Sequence, residues 1–193
     1  MKKTLSLLAL FIIMNLPMSC DDCGRSGPRY GRIDQLSIDP GSYTSSFSSE
    51  LSSNWQQAAW AVSINYLRSS QQPTTQSLFI TPSFACSPIE PASNSIITNI
   101  QITAANTLII NNRTYEAGSL LNDNFKLSNL GLSVTEFVEQ HKDTIDLFRY
   151  YGDLLVFQLT TPPAETADTF ITIKFDFDNA ESIILEARLF IEI

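Results

Sequence analysis

Apolar and polar side chains alternate with a period of two over the C-terminal part of this chain. The alternation is clearest in residues 169–177 and 183–193, which are separated by the turn sequence Asp178-Asn179-Ala180. A period of two places successive side chains on opposite faces of a β-strand. These two segments therefore predict an antiparallel hairpin at the end of the chain.

Shorter segments with the same pattern occur earlier. In residues 58–67 most of the larger apolar side chains, including Trp60, occupy the even-numbered positions. This alternation predicts a half-buried strand with Trp60 in the core. The other predicted strands cover residues 33–38, 78–85, 95–103 and 154–160. The sequence Asp39-Pro40-Gly41 is a turn signal that ends the first of them.

Turn and capping residues predict two further elements. Asn111-Asn112 tolerates the left-handed backbone of a tight turn, so a small hairpin is predicted around this pair. Ser133 with Glu136 three residues later forms a capping box, which predicts one short helix ending near Lys142.

This set of elements favours a mainly β fold. About seven or eight strands with one short helix predict an antiparallel β-sandwich of immunoglobulin-like or related topology. The alternative is an α+β fold with an open antiparallel sheet. No fixed-period repeat and no second apolar helix is evident, which disfavours a parallel βαβ architecture.

The first residues have the pattern of an export signal. Lys2 and Lys3 precede an apolar run at residues 5–13, which is shorter than the roughly 20 apolar residues that a membrane span needs. We therefore expect a signal peptide at residues 1–19. A polar, glycine-containing tether is expected at residues 20–29, followed by a single domain at residues 30–193.

The end of the signal, Leu16-Pro17-Met18-Ser19-Cys20, looks like a bacterial lipobox, although Pro17 stands where leucine is usual. Together with Cys23-Gly24, Phe-Ala-Cys-Ser-Pro, Ala-Gly-Ser-Leu-Leu-Asn and the terminal hairpin, it resembles Bacteroidota lipoproteins with no assigned activity. The resemblance implies acylation of Cys20 and a place in the outer membrane, facing the periplasm or the cell surface. Asp21-Asp22 is similar to a short surface-export signal. The alternative is a free secreted domain in which Cys20 is an ordinary thiol.

The cysteines and the net charge indicate which covalent links and which ligands are expected. If Cys20 carries lipid, Cys23 and Cys86 remain as an even pair in an oxidising compartment, and a disulfide between them would contribute roughly 4 kcal/mol. The alternative is a buried Cys86 with an unpaired Cys23. The formal net charge of the whole chain is −8 at pH 7. An acidic chain of this kind is not expected to bind nucleic acid.

No catalytic, metal or cofactor site is predicted. His141 is the single histidine, and the chain contains no Gly-x-Ser-x-Gly motif that would supply a nucleophilic serine for it. We therefore interpret His141 as a cation at the end of the helix. Asp176, Asp178, Asn179 and Glu181 crowd one turn, which we interpret as solvated and not as a calcium site. Asp143-Thr144-Ile145 resembles the acceptor motif of Bacteroidota O-glycosylation, which makes Thr144 a candidate for modification.

Aromatic residues are the remaining candidates for ligand binding. Trp55, Tyr150 and Tyr151 lie at predicted loops or element ends, where exposed rings can stack on sugars. The sequence thus favours a non-enzymatic, lipid-anchored envelope protein that binds a ligand or takes part in assembly. The alternatives are a glycan-binding accessory lipoprotein of a polysaccharide-uptake system and a fimbrial or adhesive subunit that adds a strand to a neighbour. A hydrolase is the least favoured class.

Overall fold

The structure is a computed structural model that describes residues 30–69 and 92–193. Nearly all of these residues belong to one unit, formed by Gly31–Arg68 and Ser93–Ile193. The predicted signal peptide, the tether and the strand at 78–85 lie outside the described residues. So do the three cysteines, Cys20, Cys23 and Cys86.

The described chain is mainly β with antiparallel sheets, as the sequence predicts. The first strands are β1 (Tyr30–Tyr43), β2 (Phe47–Ser48), β3 (Ala58–Ser69), β4 (Ala92–Ser93), β5 (Ile97–Ala104), β6 (Leu108–Ile110) and β7 (Arg113–Tyr115). A 3₁₀ turn at Asn122–Asn124 precedes β8 (Phe125–Leu127) and β9 (Leu132–Ser133). The helices α1 (Val134–His141) and α2 (Leu147–Tyr150) then lead to β10 (Leu155–Leu159), β11 (Ala167–Phe177) and β12 (Ile183–Ile191).

Two sheets and a small hairpin organise these strands. The larger sheet has the order β2-β1-β3-β10-β8-β9, with β4 also paired to β1. The smaller sheet has the order β12-β11-β5, and β6 pairs with β7. The predicted hairpins at Asn111-Asn112 and at the C-terminus are confirmed, and both asparagines have positive φ, at 51° and 57°.

The two sheets share one apolar core. Phe157 of β10 and Phe175 of β11 meet edge to face, with ring centroids 6.2 Å apart. Trp60 of β3 is buried in the same core, as predicted, and its indole N–H donates to the Arg188 carbonyl of β12 at 3.0 Å. Contacts from both sheets to the same core give the described domain its sandwich-like character.

Strand β3 differs from the half-buried strand that its alternation predicts. Trp60 and its in-phase neighbours face the main core, but Ala59 and Ala61 are also buried, in a second cluster with Val156. Tyr43 and Phe47, at the β1–β2 end of the larger sheet, pack against this cluster. The prediction of a solvated second face is wrong here because the sheet edge covers it, which small alanine side chains permit.

The predicted end of the first strand at Asp39-Pro40-Gly41 is also wrong. Strand β1 continues to Tyr43 and pairs with β2. A Cβ atom at Gly41 would lie 2.1 Å from the Ser48 carbonyl oxygen. Glycine is therefore required for a close approach of two backbones and not for a turn.

In β5 the alternation changes phase part of the way along the strand. Strict alternation over residues 95–103 places Ile96, Ile100 and Ile102 on one face. Ile100 and Ile102 are buried, but Ile97 is buried in place of Ile96. The pairing of β5 with β11 shifts register between Asp176 and Phe177. A bulge of this kind exchanges the inward and outward positions on one side of it.

Helix α1 forms where the capping box predicts it. The Ser133 hydroxyl accepts from the Glu136 N–H at 3.2 Å, and the Glu136 carboxylate accepts from the Ser133 N–H at 3.0 Å. The Ser133 hydroxyl also donates to the Glu136 carboxylate at 2.7 Å, and this bond, together with the bond from the Ser133 N–H, lowers the pKa of Glu136 below its usual value. Within the described residues, 30–69 and 92–193, no helix is both long enough and apolar enough to cross a membrane.

Candidate functional site

The smaller sheet exposes one side, which we call the outer face and define by Asp168, Phe170, Ile184, Glu186, Arg188 and Phe190. Phe170 of β11 is 54% exposed, and Ile184 and Phe190 of β12 are 62% and 37% exposed. Large apolar side chains on the solvent side of a strand are unusual, because this position normally holds polar residues. The outer face is therefore a candidate contact surface.

Arg188 is held in a fixed position on the outer face. Its Nε and Nη2 atoms donate to the two carboxylate oxygens of Asp168 at 2.8 and 2.7 Å. Its guanidinium also lies 5.2 Å from the centroid of the Phe190 ring. The hydrogen bond from Arg188 lowers the pKa of Asp168. The paired charges therefore persist to lower pH than an isolated carboxylate would allow.

The β5 edge of the smaller sheet is covered by the segment that precedes β8. The Gly118 and Leu121 N–H groups donate to the carbonyls of Ala104 and Ile102 at 2.9 and 2.7 Å. The Asn122 side chain accepts from the Ile102 N–H at 2.9 Å and donates to the Ile100 carbonyl at 2.7 Å. The Asn122 amide thus takes the place of a neighbouring strand.

The opposite edge, β12, is left open over most of its length by residues 30–69 and 92–193. Among these residues, β12 pairs only with β11. Phe170 lies opposite Arg188, and the Phe170 carbonyl points away from β12 because it accepts from Ala105 N–H. In an antiparallel pair, two residues that face each other both point their N–H and C=O groups toward the other strand or both point them away. The N–H and C=O groups of Arg188, and those of Ile184, Glu186 and Phe190 at alternate positions, therefore point toward the open edge.

The open stretch is limited at its C-terminal end. The Arg188 carbonyl accepts from Trp60, and the Glu192 N–H donates to the Ser53 carbonyl at 3.0 Å. We call residues 184–190 the β12 edge. Exposed strand edges are sites at which other strands can add, so natural proteins usually cover them. Within the part of the chain that the structure describes, this sheet has one covered edge and one open edge.

Replacing Asn122 by alanine should lower the free energy of unfolding by about 2 kcal/mol, because the Ile100 carbonyl and the Ile102 N–H both lose their partner. Urea unfolding of the variant measures this change. Asn106→Ala is the matched control, since no hydrogen bond of the Asn106 side chain is present among the described residues and its effect should stay within about 0.5 kcal/mol. Equal midpoints for the two variants would contradict the proposed role of Asn122.

The three candidate stacking aromatics do not form a flat platform. Tyr150 is 74% exposed, but its ring is nearly perpendicular to that of Tyr151, at 86° with centroids 4.8 Å apart. Tyr151 is partly buried and packs against the core, and burial raises the pKa of its phenol. Trp55 is likewise partly buried and packs against the core. Tyr150 alone is largely accessible to a ligand.

His141 connects the two helices. Its Nδ1 donates to the Phe137 carbonyl at 2.7 Å, and its Nε2 is hydrogen-bonded to the Tyr151 hydroxyl. Both ring nitrogens thus have structural partners, and neither partner is a serine. Thr144 lies in the turn between the helices, where it is partly buried and its N–H donates to the His141 carbonyl at 2.9 Å.

The acidic residues of the β11–β12 turn fix its structure. Asp176 accepts from the Asn99 side chain at 3.1 Å and pairs with Lys174 at 2.9 Å, while Asp178 accepts from the Ile96 N–H at 2.8 Å. Within residues 30–69 and 92–193, no group of three or more histidine, cysteine, aspartate and glutamate side chains is placed to hold a metal ion.

A surface pocket of about 240 Å³ lies beside this turn and includes Arg32, Asp34 and Arg68 in its lining. Asp34 forms ion pairs with both arginines, at 3.7 and 2.7 Å. Glu181 also lines the pocket, so two carboxylates balance the two arginines. The pocket therefore has no excess positive charge to attract an anionic ligand.

Comparisons with protein-family models, with curated proteins and with solved structures find no match for this chain. In the described domain, the period-two pattern correctly separates the outward from the inward residues of β11 and β12. Only the strand order shows that β12 lies at an edge, because that order is set by pairings between distant parts of the chain.

Proposed function

We propose that this protein is a lipid-anchored, non-catalytic component of the cell envelope that binds or assembles through a β-sheet surface. The observation that carries the binding role is the combination of an apolar outer face with the β12 edge. The anchoring role is supported by the signal-like N-terminus and by the lipobox-like sequence ending at Cys20. Lipid attached to Cys20 would hold the domain at the outer membrane.

The difference between the two edges of the smaller sheet supports assembly as the form of binding. The β5 edge is covered by residues 118–122, whereas on the side of β12 away from β11 no described residue is hydrogen-bonded to the backbone of Ile184 or Glu186. Strand addition uses such an edge for main-chain hydrogen bonds and uses alternate side chains for specificity. An adhesive or fimbrial subunit is the second candidate, since it also requires an edge of this kind.

Glycan binding has less support as a function. Sugar rings stack on flat, accessible aromatic surfaces. Of the three candidates, only Tyr150 is largely exposed, and its perpendicular neighbour Tyr151 is engaged with His141. A single exposed ring at the end of a four-residue helix offers a small contact surface.

Cys20→Ala tests the anchoring role. The parent protein should incorporate radiolabelled palmitate and fractionate with the outer membrane, whereas the variant should incorporate none and leave the membrane fraction, because acyl chains supply the binding energy. Cys23→Ala is the matched control and should behave as the parent. A parent protein without label, or a Cys20→Ala variant that still fractionates with the membrane, would refute the lipid anchor.

A further inference from the structure

We propose that the β12 edge pairs with the β12 edge of a second copy of this chain, in an antiparallel arrangement centred on Ala187. The inference rests on the proposed function and names its partner. Pairing of this kind would join two three-stranded sheets into one continuous sheet. The two copies would contribute the same residues, as in other two-fold symmetric contacts.

The charge pattern of the edge is complementary to itself. With Ala187 opposite Ala187, Glu186 of each copy lies opposite Arg188 of the other. Opposite charges in directly facing positions stabilise an antiparallel pair, whereas like charges destabilise it. A parallel arrangement in register would place Glu186 beside Glu186 and is disfavoured for that reason. The order of these two residues therefore selects the antiparallel register.

The apolar residues of the edge are complementary in the same register. Ile184 of one copy lies opposite Phe190 of the other, on the outer face of both. These side chains are 62% and 37% exposed in the single chain. Facing apolar side chains in neighbouring strands contact each other and lose contact with water. Phe170, which lies opposite Arg188 within its own sheet, extends the apolar surface on either side.

The backbone geometry fits the same register. The backbone groups of Ile184, Glu186, Arg188 and Phe190 point toward the edge, and the register places these residues opposite one another, as hydrogen-bonded pairs require. The Arg188 carbonyl already accepts from Trp60, so its contribution to the pairing uses its second lone pair, while the Arg188 N–H donates to the Glu186 carbonyl of the other copy. Ala187 falls at a position whose backbone groups point inward, to β11. The pairing spans residues 184–190 and stops before Glu192, where Ser53 already occupies the edge.

Anchoring to a membrane would strengthen the pairing. A short strand contact is weak between freely diffusing proteins, but a common membrane surface raises the effective concentration of two tethered domains. The edge would then associate in the membrane at amounts too small for association in solution.

Charge reversal tests the register directly. At high protein concentration, which takes the place of confinement to a membrane, the full-length parent lipoprotein purified in detergent should sediment as a dimer by analytical ultracentrifugation. Glu186→Arg and Arg188→Glu should each weaken self-association at least roughly tenfold, because each places like charges opposite one another. An equimolar mixture of the two variants should restore the dimer, because one copy then carries arginine at both positions and faces a copy that carries glutamate at both. An interface elsewhere on the protein would not give this restoration.

Two controls accompany this test. Glu165→Arg makes the same charge change at an exposed residue outside the β12 edge and should leave the dimer intact. Urea unfolding of Arg188→Glu shows that it is folded after the loss of the Asp168 pair. A monomeric parent, dimeric single variants or an unrestored mixture would each overturn the proposal. A monomer that still fractionates with the membrane through Cys20 would refute self-pairing alone, whereas failure of the Cys20→Ala test refutes the anchor.

Discussion

Replacing Trp60 by alanine is expected to lower the free energy of unfolding by about 3–5 kcal/mol, the range measured for large-to-small changes of buried aromatic residues. Trp60 is 2% exposed and lies on β3, in the core between the two sheets. Its ring meets Phe125 edge to face, with centroids 5.9 Å apart. Its indole N–H also donates to the Arg188 carbonyl. The variant therefore leaves a cavity and removes the hydrogen bond between the sheets.

Two further variants separate these contributions. Trp60→Phe keeps most of the buried ring but removes the hydrogen bond, so its cost should be smaller, about 1–2 kcal/mol. Trp55→Ala removes a partly buried tryptophan and should cost less than Trp60→Ala. Urea unfolding gives all three values. Equal losses for Trp55→Ala and Trp60→Ala would contradict the assignment of Trp60 to the shared core.

Replacing Gln158 by leucine should have the second largest effect, a loss of about 2–3 kcal/mol in the free energy of unfolding. Gln158 of β10 is 5% exposed, and its side-chain oxygen is hydrogen-bonded to the Ser128 hydroxyl. Its Nε2 atom lies 3.1 Å from the Tyr43 carbonyl and 3.2 Å from that of Gln56. Leucine fills a similar volume but leaves these partly buried groups without their hydrogen-bond partner.

Gln56→Leu is the matched control for this variant, because the Gln56 residue is exposed and its substitution should change stability by no more than about 0.5 kcal/mol. The loss in Gln158→Leu should be accompanied by faster hydrogen exchange at the Tyr43 amide, which bonds to the Gln57 carbonyl at 2.8 Å. Unchanged exchange at Tyr43 together with parent-like stability would show that Gln158 does not hold the end of β1 in place.

Local sequence patterns predict much of this fold. The C-terminal hairpin follows from the strict alternation of β11 and β12, and helix α1 follows from Ser133 and Glu136, since each depends on residues close together in the chain. The prediction at Gly41 is wrong because a turn sequence and a close backbone contact use the same residue type. The phase change at Ile97 depends on a bulge against β11, which a single strand does not reveal.

The candidate site is only partly visible in the sequence. Alternation identifies Phe170 and Ile184 as outward-facing residues, but it does not identify the edge strand of the sheet. The covering of β5 depends on Asn122, an asparagine outside every strand and helix that the sequence predicts, whose side chain acts as a strand neighbour. Asn129 acts similarly on β10, where its side chain bonds to the Leu154 carbonyl and the Val156 N–H. Such roles require knowledge of which segments meet in space.

The hydrogen bond between Trp60 and Arg188 joins positions that are 128 residues apart in the chain. Contacts between such distant segments slow folding, because a long loop must close before they form. Until the nine residues of β12 are present, the Trp60 indole lacks its acceptor and β11 exposes an unpaired side. The partly folded chain is therefore the state most prone to aggregation, and its exposure ends only when the last strand is added.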